Sequence, residues 1–122
     1  MRGAARLSTK TRGIALLCCC TAQAQPIPCA GKGGVLGVLP EWTYADSMKQ
    51  LAAGDRLLLF TDGVTEAENH QAVEFGSERI VQVAGPSGSS AAETKRRVME
   101  EVARFCNGEF RDDVALVVAA VR

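Results

Sequence analysis

No aspartate or glutamate occurs in the first 40 residues of this chain, although the whole chain carries 14 acidic side chains. The same stretch holds Arg2, Arg6, Lys10, Arg12 and Lys32. A formal net charge of zero therefore hides a basic head and a mixed-charge body. Lys and Arg do not cluster as they must to neutralise many phosphates, so no nucleic-acid partner is expected. Histidine is almost absent: His70 is the only one. Cysteine is present as Cys18, Cys19, Cys20, Cys29 and Cys106. An odd count with three adjacent is a poor disulfide framework, and no C-x-x-C pair offers a zinc site. No apolar run approaches the roughly 20 residues needed to span a bilayer. Gly31-Lys32-Gly33-Gly34 lacks the Ser or Thr of a P-loop, and the residues after Asp62 lack the alternating oxygen ligands of an EF-hand.

The head has its own layout. Residues 1–12 are basic, residues 13–22 are apolar, and Ala22-Gln23-Ala24 is a small-x-small triplet. That order suits an export signal cleaved after Ala24. A disordered leader and a stretch foreign to the domain are the other two readings. Neither a helical nor a strand period runs through the segment. The expected organisation is a poorly structured leader over 1–32 and one domain portion over 33–122, within a length that holds a single domain.

The body is more regular. Gly33 to Pro40 is a glycine-punctuated apolar run that suits a short strand or loop. Residues 42–51 suggest a half-exposed strand. Residues 56–61, apolar without alternation, suggest a strand buried on both faces. A loop or short helix follows Gly63, then a short helix over 76–84 that Gly85-Pro86 breaks. Ser90-Ala91-Ala92-Glu93 fits a capping box at the start of a helix. Val98, Met99, Val102, Phe105 and Cys106 then form one apolar stripe, with Glu100 and Arg104 spaced to pair on the outside. Asn107-Gly108 is a fitting stop. The stripe is a core face, and Cys106 a packed thiol rather than a nucleophile, since no histidine stands near it in sequence. Val114 to Val121 predicts a central, buried strand.

Two of these strands are flanked by carboxylates. The first ends on Asp62; the second begins after Asp112 and Asp113. If they run antiparallel in one sheet, both sets of acids share an edge. Gathered carboxylates repel unless protons or cations intervene, and their hard oxygens suit Mg²⁺ or Mn²⁺. Gly63 would leave room for water near the backbone. A solvated pair of turn carboxylates remains the other reading of the same geometry.

The stretch from Gly54 to Ala67, GDRLLLFTDGVTEA, resembles the GDRLLLYTDGVTEA block of bacterial metal-dependent serine/threonine phosphatases. These form the SpoIIE-type branch of the protein phosphatase 2C-like (PPM) superfamily. Arg111-Asp112-Asp113-Val114-Ala115-Leu116-Val117-Val118 resembles that family's terminal R-D-D block, and Gly34 to Pro40 its G-x-x-L-G-V segment. Order and spacing agree across about residues 33–122. The resemblance implies an α+β fold, a partial αββα sandwich with a mainly antiparallel sheet and C-terminal helices. It implies Asp62 and Asp112 as ligands of a two-metal Mn²⁺ or Mg²⁺ centre, with Gly63 and Asp113 in support. It further implies hydrolysis of phosphoserine or phosphothreonine on a regulatory protein such as an anti-anti-sigma factor. The setting it implies is cytoplasmic, with a sensor domain upstream.

The chain departs from that pattern in ways with physical consequences. A D-x-x-G-H-G-like block, which carries further ligands, has no counterpart, and no acid precedes Glu41 to replace it. The N-A-G-H block is reduced to Cys29-Ala30-Gly31-Lys32, and Ala115 stands where the family has Thr. Two aspartates are too few to hold two ions about 4 Å apart. The expectation is a truncated domain with little or no activity alone. A non-catalytic binding or regulatory module derived from the same fold is the alternative, and an exported small protein a third reading.

Overall fold

The computed structural model describes residues 4–7, 14–19, 26–28, 40–41, 47–85 and 90–122. The expected segment 33–39, the Cys29 to Lys32 remnant and the start of the 42–51 strand lie outside those residues, apart from the backbone of β4 (Ser47–Gln50). The other strands are β1 (Ala4–Leu7), β2 (Ile14–Cys19), β3 (Pro26–Pro28), β5 (Arg56–Thr61) and β6 (Leu116–Ala120). The helices are α1 (Asp62–Thr65), α2 (Gly76–Ala84) and α3 (Ala91–Phe105).

One four-stranded sheet runs in the order β3-β2-β5-β6, with each neighbouring pair antiparallel. β1 and β4 form a separate antiparallel pair. Together with α2 and α3 this is an α+β fold. Three strands fall within residues 1–32, where a poorly structured leader was expected. The run Ile14 to Cys19 is short and wholly apolar, so it fits a signal core and an interior strand alike. In the sheet it lies between β3 and β5.

A tight turn launches β5. Gly54 takes φ of 91°, a conformation that favours glycine. Asp55, buried, accepts the Ala52 amide on Oδ2 at 2.8 Å. The Gly54 amide donates to Val121 O and the Val121 amide to Asp55 O, both at 2.8 Å, so this turn also ties down the far end of β6.

The core lies between the sheet and the two longer helices. Leu58 and Phe60 point from β5 onto Ile80 and Ala84 of α2 and Val98 and Val102 of α3, all buried. Each large apolar side chain removed from water there contributes about 1.5–3 kcal/mol. Phe75 meets Phe105 edge to face at 5.3 Å, and the Arg79 guanidinium lies 4.8 Å from the Phe105 centroid.

Arg56 is buried with them, at 1% exposure. Its guanidinium donates to Ala84 O at 2.9 Å, Gly85 O at 3.0 Å and the Thr94 hydroxyl at 2.6 Å. It thereby satisfies the last carbonyls of α2, which a helix leaves without intrahelical partners, and braces β5 to both helices.

The stripe on α3 follows the expected face: Val98, Val102 and Cys106 are buried, with Phe105 packed beside them. Ser90 Oγ accepts the Glu93 amide at 3.1 Å. The other arm of the capping box is replaced, because the Glu93 carboxylate binds Arg96. The pairing expected between Glu100 and Arg104 is also redirected: Glu100 binds Arg96, and Arg104 binds Glu101. Asn107 and Gly108 turn with φ of 53° and 76° and end the helix.

β6 corrects a sequence expectation. Among the described residues it is an edge strand, not a central one. Leu116 and Val118 are half-buried against the helices, while Val117 is 59% exposed. Residues of high β propensity face solvent here because one face alone is covered, and propensity does not report which.

Candidate functional site

The candidate site is the rim where β5 ends and β6 begins. Antiparallel pairing sets Phe60 opposite Leu116. One step further along, the Thr61 amide donates to Ala115 O at 3.1 Å. The Thr61 hydroxyl then clasps the incoming segment. It donates to Asp113 O at 3.1 Å and accepts the Ala115 amide at 3.0 Å.

That use of the hydroxyl explains a local irregularity. Thr61 is the N-cap of α1, yet its side chain makes no cap bond, being engaged across the strands. Asp62 opens α1 and is half-buried. Its carbonyl accepts the Glu66 amide at 2.8 Å and the Thr65 hydroxyl at 3.2 Å. The single helical turn therefore fixes the backbone from which the Asp62 carboxylate projects.

Gly63 is buried directly beneath the backbone carbonyls of Asp113 and Asp112. A Cβ at Gly63 would lie 2.2 Å from Asp113 O and 3.3 Å from Asp112 O. Glycine is thus required by a close approach of two backbones. This corrects the expectation that it leaves room for water: the space is filled by carbonyl groups. Nor does Gly63 adopt positive φ, so the Asp-Gly pair is a helix start rather than a turn.

Asp112 and Asp113 are exposed, and Asp112 Oδ1 accepts the Asp113 amide at 2.7 Å. Ala115 lies beside the Thr61 hydroxyl, so a hydroxyl does stand next to the strand entry, supplied by the neighbouring strand. Sequence reasoning passed over Thr61. Its position immediately before Asp62, at the end of an apolar strand, was the available signal.

The rim suits a hard divalent cation in donor type, since it gathers aspartates and peptide carbonyls. It is not a complete centre. Among the described residues, no group of three or more His, Cys, Asp or Glu side chains is arranged to hold a metal ion. Those residues fit a contribution to a metal site and not a whole one. Among the described residues, no helix is long and apolar enough to cross a membrane.

Comparison with known proteins agrees with this reading of the fold. The model of the family described as Stage II sporulation protein E (SpoIIE) matches residues 13–122. The chain is 28% identical over 87 residues to the phosphoserine phosphatase RsbU of Bacillus subtilis, covering 71% of this chain and 26% of RsbU. It is 24% identical over 90 residues to the protein IcfG of Synechocystis, covering 74% of this chain and 14% of IcfG. Among solved structures, the PP2C phosphatase domain of SpoIIE from Bacillus subtilis, with a fragment of its regulatory domain, superposes with a TM-score of 0.73 at 21% identity. That match covers 97% of this chain and 34% of the other. The chain thus spans a quarter or so of RsbU and less of IcfG. With the match over residues 13–122, the chain belongs to the SpoIIE family, and its sheet and helices have the fold of part of the PP2C phosphatase domain of SpoIIE.

Proposed function

We propose that this chain carries the terminal metal-ligand segment of a metal-dependent protein serine/threonine phosphatase. Asp62 and Asp112 are ligands of a Mn²⁺ or Mg²⁺ centre, with Gly63 and Asp113 shaping their backbone. The observation that carries the reading is the close approach of Gly63 to the Asp113 and Asp112 carbonyls at the ends of two antiparallel strands. Segments 50 residues apart in sequence are packed backbone to backbone, and each bears a carboxylate. A divalent cation held by such carboxylates supplies Lewis-acid activation of a phosphate ester.

This chain's own residues hold and orient. The Thr61 hydroxyl locks the relative height of the two strand ends, and α1 fixes Asp62. The substrate class is phosphoserine or phosphothreonine on a regulatory protein of the anti-anti-sigma type. The phosphoserine phosphatase activity in RsbU's name supports that class. The setting that goes with it is the cytoplasm, with an upstream sensor domain. Turnover by the chain alone is low or absent because two ligands cannot hold two ions tightly.

Phosphate release from a phosphoserine peptide with Mn²⁺ tests this. The chain alone is expected near background. A chimaera in which residues 54–122 replace the matching segment of a complete SpoIIE-type domain is expected to release phosphate with Mn²⁺. Asp62→Asn or Asp112→Asn in the chimaera abolishes release. An inactive, folded chimaera that binds the phosphorylated regulator would favour a non-catalytic binding module.

A further inference from the structure

Beside the aspartate rim, Arg111 and Glu68 meet as a two-pronged ion pair. Arg111 Nη1 donates to Glu68 Oε1 and Nη2 to Oε2, each at 2.8 Å. The ion pairs within α3 join residues three or four positions apart. This one joins residues 43 apart. Exposed pairs contribute little as a rule, but paired parallel bonds from Arg to carboxylate are the favourable exception.

Glu68 stands on backbone that is already fixed. Ala67 and Phe75 are buried, and the Phe75 amide donates to Ala67 O at 2.8 Å. Glu68 and Glu74 form an antiparallel bridge. Beyond it, Asn69 Oδ1 accepts the amides of Gln71 and Val73 at 2.9 and 3.1 Å and closes the loop tip. The Glu68 side chain is 18% exposed, against 70% for Arg111. The acid is the anchored partner and the arginine the one being held. The pair forms a wall of a cavity of about 220 Å³ that His70, Glu109 and Phe110 also line.

Arg111 immediately precedes Asp112. Downstream, the same segment is pinned at Asp113 O and Ala115 by Thr61. We propose that Glu68 is a positioning residue for the rim. By holding Arg111 it seats the Asp112 and Asp113 carbonyls over Gly63, and so couples the 66–75 loop to the geometry of the carboxylates. The proposal rests on the assignment of Asp62 and Asp112 as metal ligands.

The test uses the whole chain, isotope-labelled, with Mn²⁺ alone as probe. Glu68→Gln is expected to speed hydrogen exchange at the Ala115 amide about fivefold and leave Val102, in the core of α3, unchanged. It is expected to weaken the Mn²⁺ response about fivefold. That is less than the roughly ten- to hundredfold typical when a residue supporting a metal ligand is lost, because Arg111 is exposed and screened. The charge-swapped double variant Glu68→Arg with Arg111→Glu returns both readouts towards the parent values, which a general loss of stability does not allow. Unchanged exchange at Ala115 in Glu68→Gln, or a defect that the swap fails to return, overturns the proposal. A parent chain with no Mn²⁺ response defeats the metal assignment instead, and the exchange data then judge the coupling by themselves.

Discussion

Gly63→Ala separates a conformational role from a steric one. The added Cβ would meet the Asp113 carbonyl at 2.2 Å, and both sides of that contact are backbone. Relief requires the strand ends to part, so a loss of about 2–3 kcal/mol in urea unfolding is expected, within the range for overpacking. Gly76→Ala is the control. It has φ of +74° and open space around it, and should cost about 1 kcal/mol from conformation alone. Asp62→Asn should change stability by under about 0.5 kcal/mol while removing a carboxylate charge from the rim. Asp62, Asp112 and Asp113 stand out in the sequence because they bound apolar runs, Asp62 after the end of β5 and the pair before the start of β6. Gly63 was legible as a residue but not in its reason, which depends on a peptide 50 positions away. Arg56 was not legible at all. Its partners Ala84, Gly85 and Thr94 lie 28 to 38 residues downstream, and no local pattern connects them.

Among the elements, α2 and α3 were legible because both periodicity and end signals are local. α3 begins where Ser90 predicts and stops where Asn107-Gly108 predicts. Ser90→Ala should lower stability by about 1 kcal/mol by thermal unfolding, leaving the Glu93 amide without its acceptor. The Arg96 hydrogen bond holds the Glu93 carboxyl below its ordinary 4.5. A lowered value means the contribution is present above pH 4.5 and lost as pH falls through the folded-state value. Circular dichroism should therefore show α3 losing support on acidification below that range, with the effect reduced in Glu93→Gln and by high salt, since both side chains of the pair are open to solvent. β6 was legible as a strand and not as an edge. Propensity reads the backbone, whereas position in a sheet depends on which other strands pair. The exposed Val117 should accept Lys with a change under about 0.5 kcal/mol, and a charge there guards an open strand edge.

On the scale of the whole molecule, the chain combines a helix-backed sheet with one rim bearing three aspartates. β2 contributes an interior strand from a region whose composition suggested a leader, because an apolar run of six fits either role. The rim's geometry follows from one pairing, β5 with β6, and everything inferred about metal and phosphate chemistry depends on it. Paramagnetic broadening by Mn²⁺ in the amide spectrum of the labelled chain reports on that pairing and on the ligands at once. Selective loss of the signals of residues 61–64 together with those of 111–115, abolished in Asp62→Asn and in Asp112→Asn, is the predicted result. Broadening confined to one of the two segments, or scattered over the glutamates of α3 with the rim signals intact, would contradict the account.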